Sequence, residues 1–273
     1  MCTLWEDAEW QATADLNDVN MIDPFHLDAY GITTVNYNRD VEAYPVLVAI
    51  FEKILGKCPY KSPTDMGVNM VGNCIVDDEA ARYASRQEIL RRYYVALCDL
   101  KQGKGREETV RKLELLMKKA NVEVSERKVI APALARAEET ADAAAAMELP
   151  DGTIVTGRTT DLLGASSALL LNALKRLAGL PDELHMISPL ILDPIQHLKV
   201  DHLGNRNPRL HTDETLIALS ICAATNPMAE MAMQQLHKLR GCDVHSTVIL
   251  SQADERTFKR LGCNLTCEPR YAG

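Results

Sequence analysis

Two polar segments hold the side chains best suited to chemistry. The first brings Asp23, His26, Asn36, Asn38, Arg39 and Asp40 within a short stretch. The second supplies Ser62, Thr64, Asp65, Asn69 and Asn73. Together they offer carboxylates, a guanidinium for an anion, an imidazole that titrates near neutral pH, and several amides and hydroxyls. Such a set fits recognition of a polar, or phosphorylated, small molecule. Asp23, His26 and Asp65 are the candidate catalytic residues. Asn36, Asn38, Arg39, Ser62, Asn69 and Asn73 are the candidate binding residues, and no metal ligand set is assigned. The same side chains would also serve as a network that satisfies irregular backbone, and both readings stand.

These groups need elements to hold them. An apolar helix begins near Asp40, carries Val46, Leu47, Ile50 and Ile54, and is stopped by Gly56. Loops on either side of one helix can converge on one cleft. A third anion-binding candidate is the helix start Gly164-Ala165-Ser166-Ser167, where free N–H groups and the hydroxyls of Ser166 and Ser167 could meet a phosphate or carboxylate. The plain reading of that start is a capped helix with small residues against a sheet. A polar loop from Gly204 to Glu214 reads as solvated, with Thr212 capping the next helix. His245 lies in the clearest buried strand and reads as a satisfied core residue.

Several chemistries are excluded. Zinc deamination needs a His or Cys with Glu two residues on, and a later Cys pair, and neither is present. H-E-x-x-H is absent. A calcium loop counted from Asp15 would need Gly and Glu where Asn20 and His26 stand. No zinc is expected. A net charge of −8, with bases interleaved among acids, argues against nucleic acid. No apolar run spans a bilayer and the start of the chain is acidic, so a cytoplasmic location is expected, without membrane contact. None of the eight cysteines forms a C-x-x-C pair, and Cys263 and Cys267 would lie about 13 Å apart on a strand, so buried reduced thiols are expected.

The pattern predicts an α/β fold: an N-terminal helical part, then a mixed-sheet α/β/α sandwich. Residues 1–11 form a leading segment, 12–140 a mainly helical domain with polar loops, and 141–273 the sandwich. Asp151-Gly152 predicts a hairpin, ELHMIS a short strand, and 243–250 an interior strand.

The stretches ADLNDVNMIDPFHL, TTVNYNRD and SPTDMGVNMVGNCIVDD carry a family resemblance. From Ala12 onward the chain resembles the C-terminal half of domain-of-unknown-function family 1846, also called uncharacterised protein family 0371. The resemblance implies a sandwich with deaminase-like topology. It also implies a preceding half with a Gly-rich, Lys-containing loop similar to a phosphate-binding loop. On that basis the chain is expected to be the C-terminal half of a nucleotide-dependent enzyme acting on a polar small molecule, with any nucleotide site in the missing N-terminal half. Asp23 and Asp65 would then be base or metal contacts, His26 a proton shuttle and Arg39 an anion anchor. Alternatives are a non-catalytic small-molecule or partner-binding module, or an inactive truncated product. Apolar residues including Met21, Phe25 and Met66 would face the missing half, so a homo-oligomer is also expected.

Overall fold

The computed structural model describes residues 38–59 and 78–272. Its helices are α1 (Asn38–Leu55), α2 (Asp78–Lys101), α3 (Glu107–Ala120), α4 (Ile130–Thr140) and α5 (Ala165–Ala178). They continue as α6 (Pro189–His197), α7 (Thr212–Ala223), α8 (Pro227–Met233) and α9 (Gln252–Arg260). The strands are β1 (Ala144–Glu148), β2 (Ile154–Arg158), β3 (Asp243–Ser246) and β4 (Asn264–Cys267). The chain divides into two compact units. One takes the described residues through Tyr93 and Glu108–Glu126, and the other takes Tyr94–Glu107 and everything from Arg127 onward.

In the first unit the end of α3 is held by Arg86. Its Nη1 donates to the Ala120 carbonyl at 3.0 Å and its Nη2 to Asn121 at 2.6 Å, carbonyls that a helix leaves without intrahelical partners. Its Nε reaches Glu126 Oε2 at 2.6 Å, and Nη2 closes a fork on the other carboxylate oxygen. Burial opposes ionisation of Glu126, but the Arg86 bonds hold its carboxyl below the usual range. Beneath this clamp Ile89 and Leu90 pack with Val122, Leu116 and Met117.

The second unit is built on a four-stranded mixed sheet of order β2-β1-β3-β4. β1 runs antiparallel to both β2 and β3, while β3 and β4 are parallel and joined through α9. Asp151-Gly152 makes the expected hairpin: Gly152 adopts φ 79°, its N–H donates to Leu149, and the Asp151 carboxylate accepts from the Thr153 N–H at 2.9 Å. β1 carries three alanines in its five residues because both its faces are covered. Ala145 and Met147 pack with Leu169, Leu170 and Ala173 of α5, while Ala146 packs with Val129 and Ala133 on the α4 side. Each fully buried Leu or Phe in this core contributes about 1.5–3 kcal/mol.

Two expectations are corrected. ELHMIS forms no strand: Met186 and Ile187 are adjacent and both buried, which a period of two does not allow for a one-sided strand. The interior strand is present but ends at Ser246, because the Ser246 hydroxyl donates to the Val248 carbonyl and accepts the Val248 N–H, bending the chain out of the ladder. Among the described residues no helix is long and apolar enough to cross a membrane.

His245 is fully buried between β1 and β4, with Nδ1 2.9 Å from Thr266 Oγ1 and Nε2 3.2 Å from Glu268 Oε1. Its ring meets Tyr94 edge-on at 5.2 Å. Burial lowers its pKa against the pull of Glu268, as befits an imidazole held in the core. The cysteines among the described residues are free, and burial pushes the Cys263 thiol up to about 12, which leaves little thiolate.

Candidate functional site

In open α/β sheets, ligands bind beyond the carboxyl ends of the strands. β3 leads there into Ser251, the N-cap of α9. Ser251 Oγ accepts the Asp254 N–H and donates to Asp254 Oδ2 at 2.8 Å, closing the N-terminal cap of α9. Asp254 then reaches a second helix. Its Oδ1 accepts the Thr212 N–H at 2.9 Å, so α9 supplies the cap that opens α7. The N-cap of α7 is His211, one residue before the expected Thr212.

His211 is the chemical centre of this junction. Its Nδ1 lies 3.1 Å from Asp254 Oδ2 and 3.3 Å from Ser251 Oγ. Its backbone N–H donates to Glu214 Oε2 at 2.8 Å. The same Glu214 oxygen accepts from Lys199 Nζ at 2.6 Å, and Lys199 also donates to the Arg209 carbonyl. Lys199 is buried and its ammonium is paired with the Glu214 carboxylate. Nε2 of His211 has no hydrogen-bond partner among the described residues, and the side chain is one-third exposed. A carboxylate fixed on one ring nitrogen with the other open is the arrangement that orients an imidazole for proton transfer.

The charges support one another. The hydrogen bond to Asp254 raises the His211 pKa above its ordinary value, against burial and the nearby Lys199. Burial disfavours the Asp254 carboxylate, yet bonds from His211, the Thr212 N–H and Ser251 hold its pKa below the usual range. A raised His211 stabilises the fold fully below its unfolded pKa, about 6.5, and that share is lost as pH rises through the folded value. A lowered Asp254 stabilises it above its unfolded pKa, about 3.9, and that share is lost as pH falls through the folded value. The pair should therefore stabilise most between about pH 4 and 6.5. In an Asp254→Asn variant, NMR titration of His211 should give a lower pKa than in the parent. An unchanged value would mean that Asp254 does not set the charge of the ring.

Of the residues singled out in the sequence, Ser166 and Ser167 fall in the second unit. Both are buried at the start of α5, and Ser167 Oγ donates to the Leu210 carbonyl at 2.8 Å, next to His211. Asn38 and Arg39 open α1. Asp23, His26, Asn36, Ser62, Asp65, Asn69 and Asn73 lie outside the described residues, as do Met21, Phe25 and Met66. Among the described residues no three His, Cys, Asp or Glu side chains are grouped to hold a metal ion. Sequence reasoning missed the junction because Asp254 and His211 are 43 positions apart. The available signal was that His211 and Ser251 each precede a helix start rich in short polar side chains.

Two family models match the chain. Residues 7–121 match Domain of unknown function DUF1846, N-terminal, and residues 125–273 match Domain of unknown function DUF1846, C-terminal. The expectation of a C-terminal half alone, matched from Ala12, is thereby corrected: the first half of the chain matches the model of the family's N-terminal domain. The chain is 54% identical over 260 residues to the UPF0371 protein cu0538 of Corynebacterium urealyticum, covering 95% of this chain and 52% of that relative. It is 54% identical to the UPF0371 protein stu1377 of Streptococcus thermophilus and 55% identical to a UPF0371 protein of Streptococcus pneumoniae, each over 95% of this chain and 53% of the relative. The chain thus spans about half the length of the curated relatives it matches. With both models together accounting for nearly all of its residues, the chain belongs to the DUF1846 family, UPF0371.

Proposed function

We propose that the chain is part of an enzyme that acts on a polar small molecule by proton transfer, with His211 as the acid–base group. The observation that carries this reading is the His211 ring held by Asp254 through Nδ1 while Nε2 has no partner among the described residues. A raised pKa suits a group that both takes and returns a proton near neutrality. The sheet order, a hairpin followed by a parallel β-α-β unit, supports a deaminase-like reading of the topology without the zinc ligands of that chemistry. Asp23, His26 and Asp65 remain proposed catalytic residues of the first half, and Arg39 its anion anchor, on the sequence argument alone and independently of His211. Any nucleotide step belongs, on this reading, to the length of the relatives that the chain does not span.

The test is a metabolite-consumption assay. The chain and its His211→Gln variant are incubated with a cell extract of small metabolites, with and without ATP, and followed by mass spectrometry. The expected result is at least one polar metabolite consumed by the parent and spared, or consumed at least about 100-fold more slowly, by the variant. Equal consumption would remove His211 from the mechanism. No consumption by either would favour a binding module without chemistry.

A further inference from the structure

A cleft of about 300 Å³ opens at the edge strand β2. It lies between β2, the second half of α5 and the segment through Met186, and shares no residue with the His211 junction. Four basic side chains line it: Arg136 from α4, Arg158 at the end of β2, Lys175 from α5, and His185.

The cationic groups lining the cleft are unequally paired. Lys175 Nζ is occupied by the Asp182 carbonyl at 2.7 Å, with the Asp182 and Glu183 carboxylates nearby. Arg136 meets Glu139 through Nη1 at 2.6 Å, but its Nε is buried without any acceptor. The Arg158 side chain makes no hydrogen bond or ion pair among the described residues. A buried guanidinium donor without an acceptor is costly, and buried polar atoms are normally satisfied. Arg136, 35% exposed, and the exposed Arg158 both line this cavity, and the solvent-facing donors of two guanidiniums match an oxyanion, which can accept from both. Leu163, Leu171, Leu184 and Met186 give the rest of the wall an apolar part, beside Thr156, Thr160 and Asn172. Asn172 bonds the Thr156 carbonyl at 2.9 Å and fixes α5 against the strand edge, so the cleft walls are tied together. The volume sits at the lower end of the range for small-molecule sites.

We propose that this cleft binds a small organic anion, its phosphate or carboxylate held by Arg136 and Arg158 and its apolar body against Leu163, Leu171 and Met186. The site takes one ligand class, an oxyanion head on a compact apolar body. A bare inorganic ion satisfies only half of it, and a neutral analogue only the other half.

The experiment titrates the full chain with phenyl phosphate, phenylacetate, inorganic phosphate and benzyl alcohol, followed by amide chemical shifts. Phenyl phosphate or phenylacetate should shift the Gly157, Asn172 and Met186 amides, and which of them binds identifies the head group. Inorganic phosphate should bind more weakly and benzyl alcohol not at all. Arg158→Gln and Arg136→Gln should each weaken the organic anion at least tenfold. Arg158 is exposed, so its loss leaves the core intact, and an unchanged amide spectrum of the free variant checks this. The proposal is overturned if neither organic anion shifts these amides, if benzyl alcohol binds as well as the anions, or if both variants bind like the parent.

Discussion

Replacing Gly157 with alanine should displace α5 from the sheet and destabilise the second unit by about 3 kcal/mol or more. A Cβ at this position would stand 2.2 Å from Leu169 N, 2.5 Å from Leu169 Cα and 2.9 Å from the Ala165 carbonyl oxygen. These are backbone atoms, so no rotamer change can relieve the overlap. α5 would have to move bodily, and with it Leu169, Leu170, Ala173 and Leu174, all fully buried. Overpacking of a core costs about 1–3 kcal/mol where side chains can give, and occasionally more. A backbone obstruction places this change at or above the top of that range. Gly152→Ala is the control. Gly152 has open space around it and only its φ of 79° is strained, so about 1–2 kcal/mol is expected there. Hydrogen exchange of the β2 and α5 amides separates the two variants and follows this unit alone. Parent-like protection in Gly157→Ala would mean that the strand and helix are less tightly apposed than these distances require. The same variant should also disorder the anion cleft, since β2 and α5 form its walls.

The sequence was most legible where structure is decided locally. Ser188, Asn226 and Ser251 each sit at a helix start and accept a backbone N–H two or three residues on, as their side-chain chemistry requires. Gly179 ends α5 in the left-handed region, and Asp151-Gly152 closes the hairpin. His245 could be read as a core residue because an apolar strand surrounds it. What escaped the sequence reading is non-local. The Asp254 carboxylate resembles an ordinary cap residue, and only the packing of α9 beside α7 brings it to Thr212 and His211. The ELHMIS segment has strand-like composition, but Met186 and Ile187, with Leu184 packed against them, fill the core from an irregular backbone. The cleft depends on β2 being an edge strand, which the order of strands along the chain does not reveal. The two polar segments that opened the sequence argument were legible as chemistry, and most of their residues fall outside those described.

Arg127 shows how far a charged residue can be hidden from sequence reasoning, and its removal should be among the most damaging single changes in the chain. It precedes α4 in a charged stretch that reads as surface, yet it is 1% exposed. Its Nε donates to Thr266 Oγ1 at 2.9 Å, its Nη2 to the Val244 carbonyl at 3.2 Å and to that of Asn264, and its Nη1 lies 3.1 Å from Asp243 Oδ1. One guanidinium therefore ties β3 to β4. Arg127→Met keeps most of the volume but leaves the Asp243 carboxylate and these acceptors without their donor. Breaking a buried pair from one side costs about 3–5 kcal/mol, most of it from the partner left behind. Asp243→Asn in the same chain should then recover part of the loss, because the stranded charge is gone. That non-additivity distinguishes an ion-pair effect from a simple packing defect. A second readout is His245. Burial lowers its pKa, Glu268 opposes that, and the Arg127 charge adds to the lowering. In Arg127→Met the His245 pKa should rise, measured by NMR on the folded protein. Hydrogen exchange on the β3 and β4 amides should show protection falling by about 10²- to 10⁴-fold. Exchange and a His245 titration both matching the parent would mean that the sheet does not depend on this guanidinium.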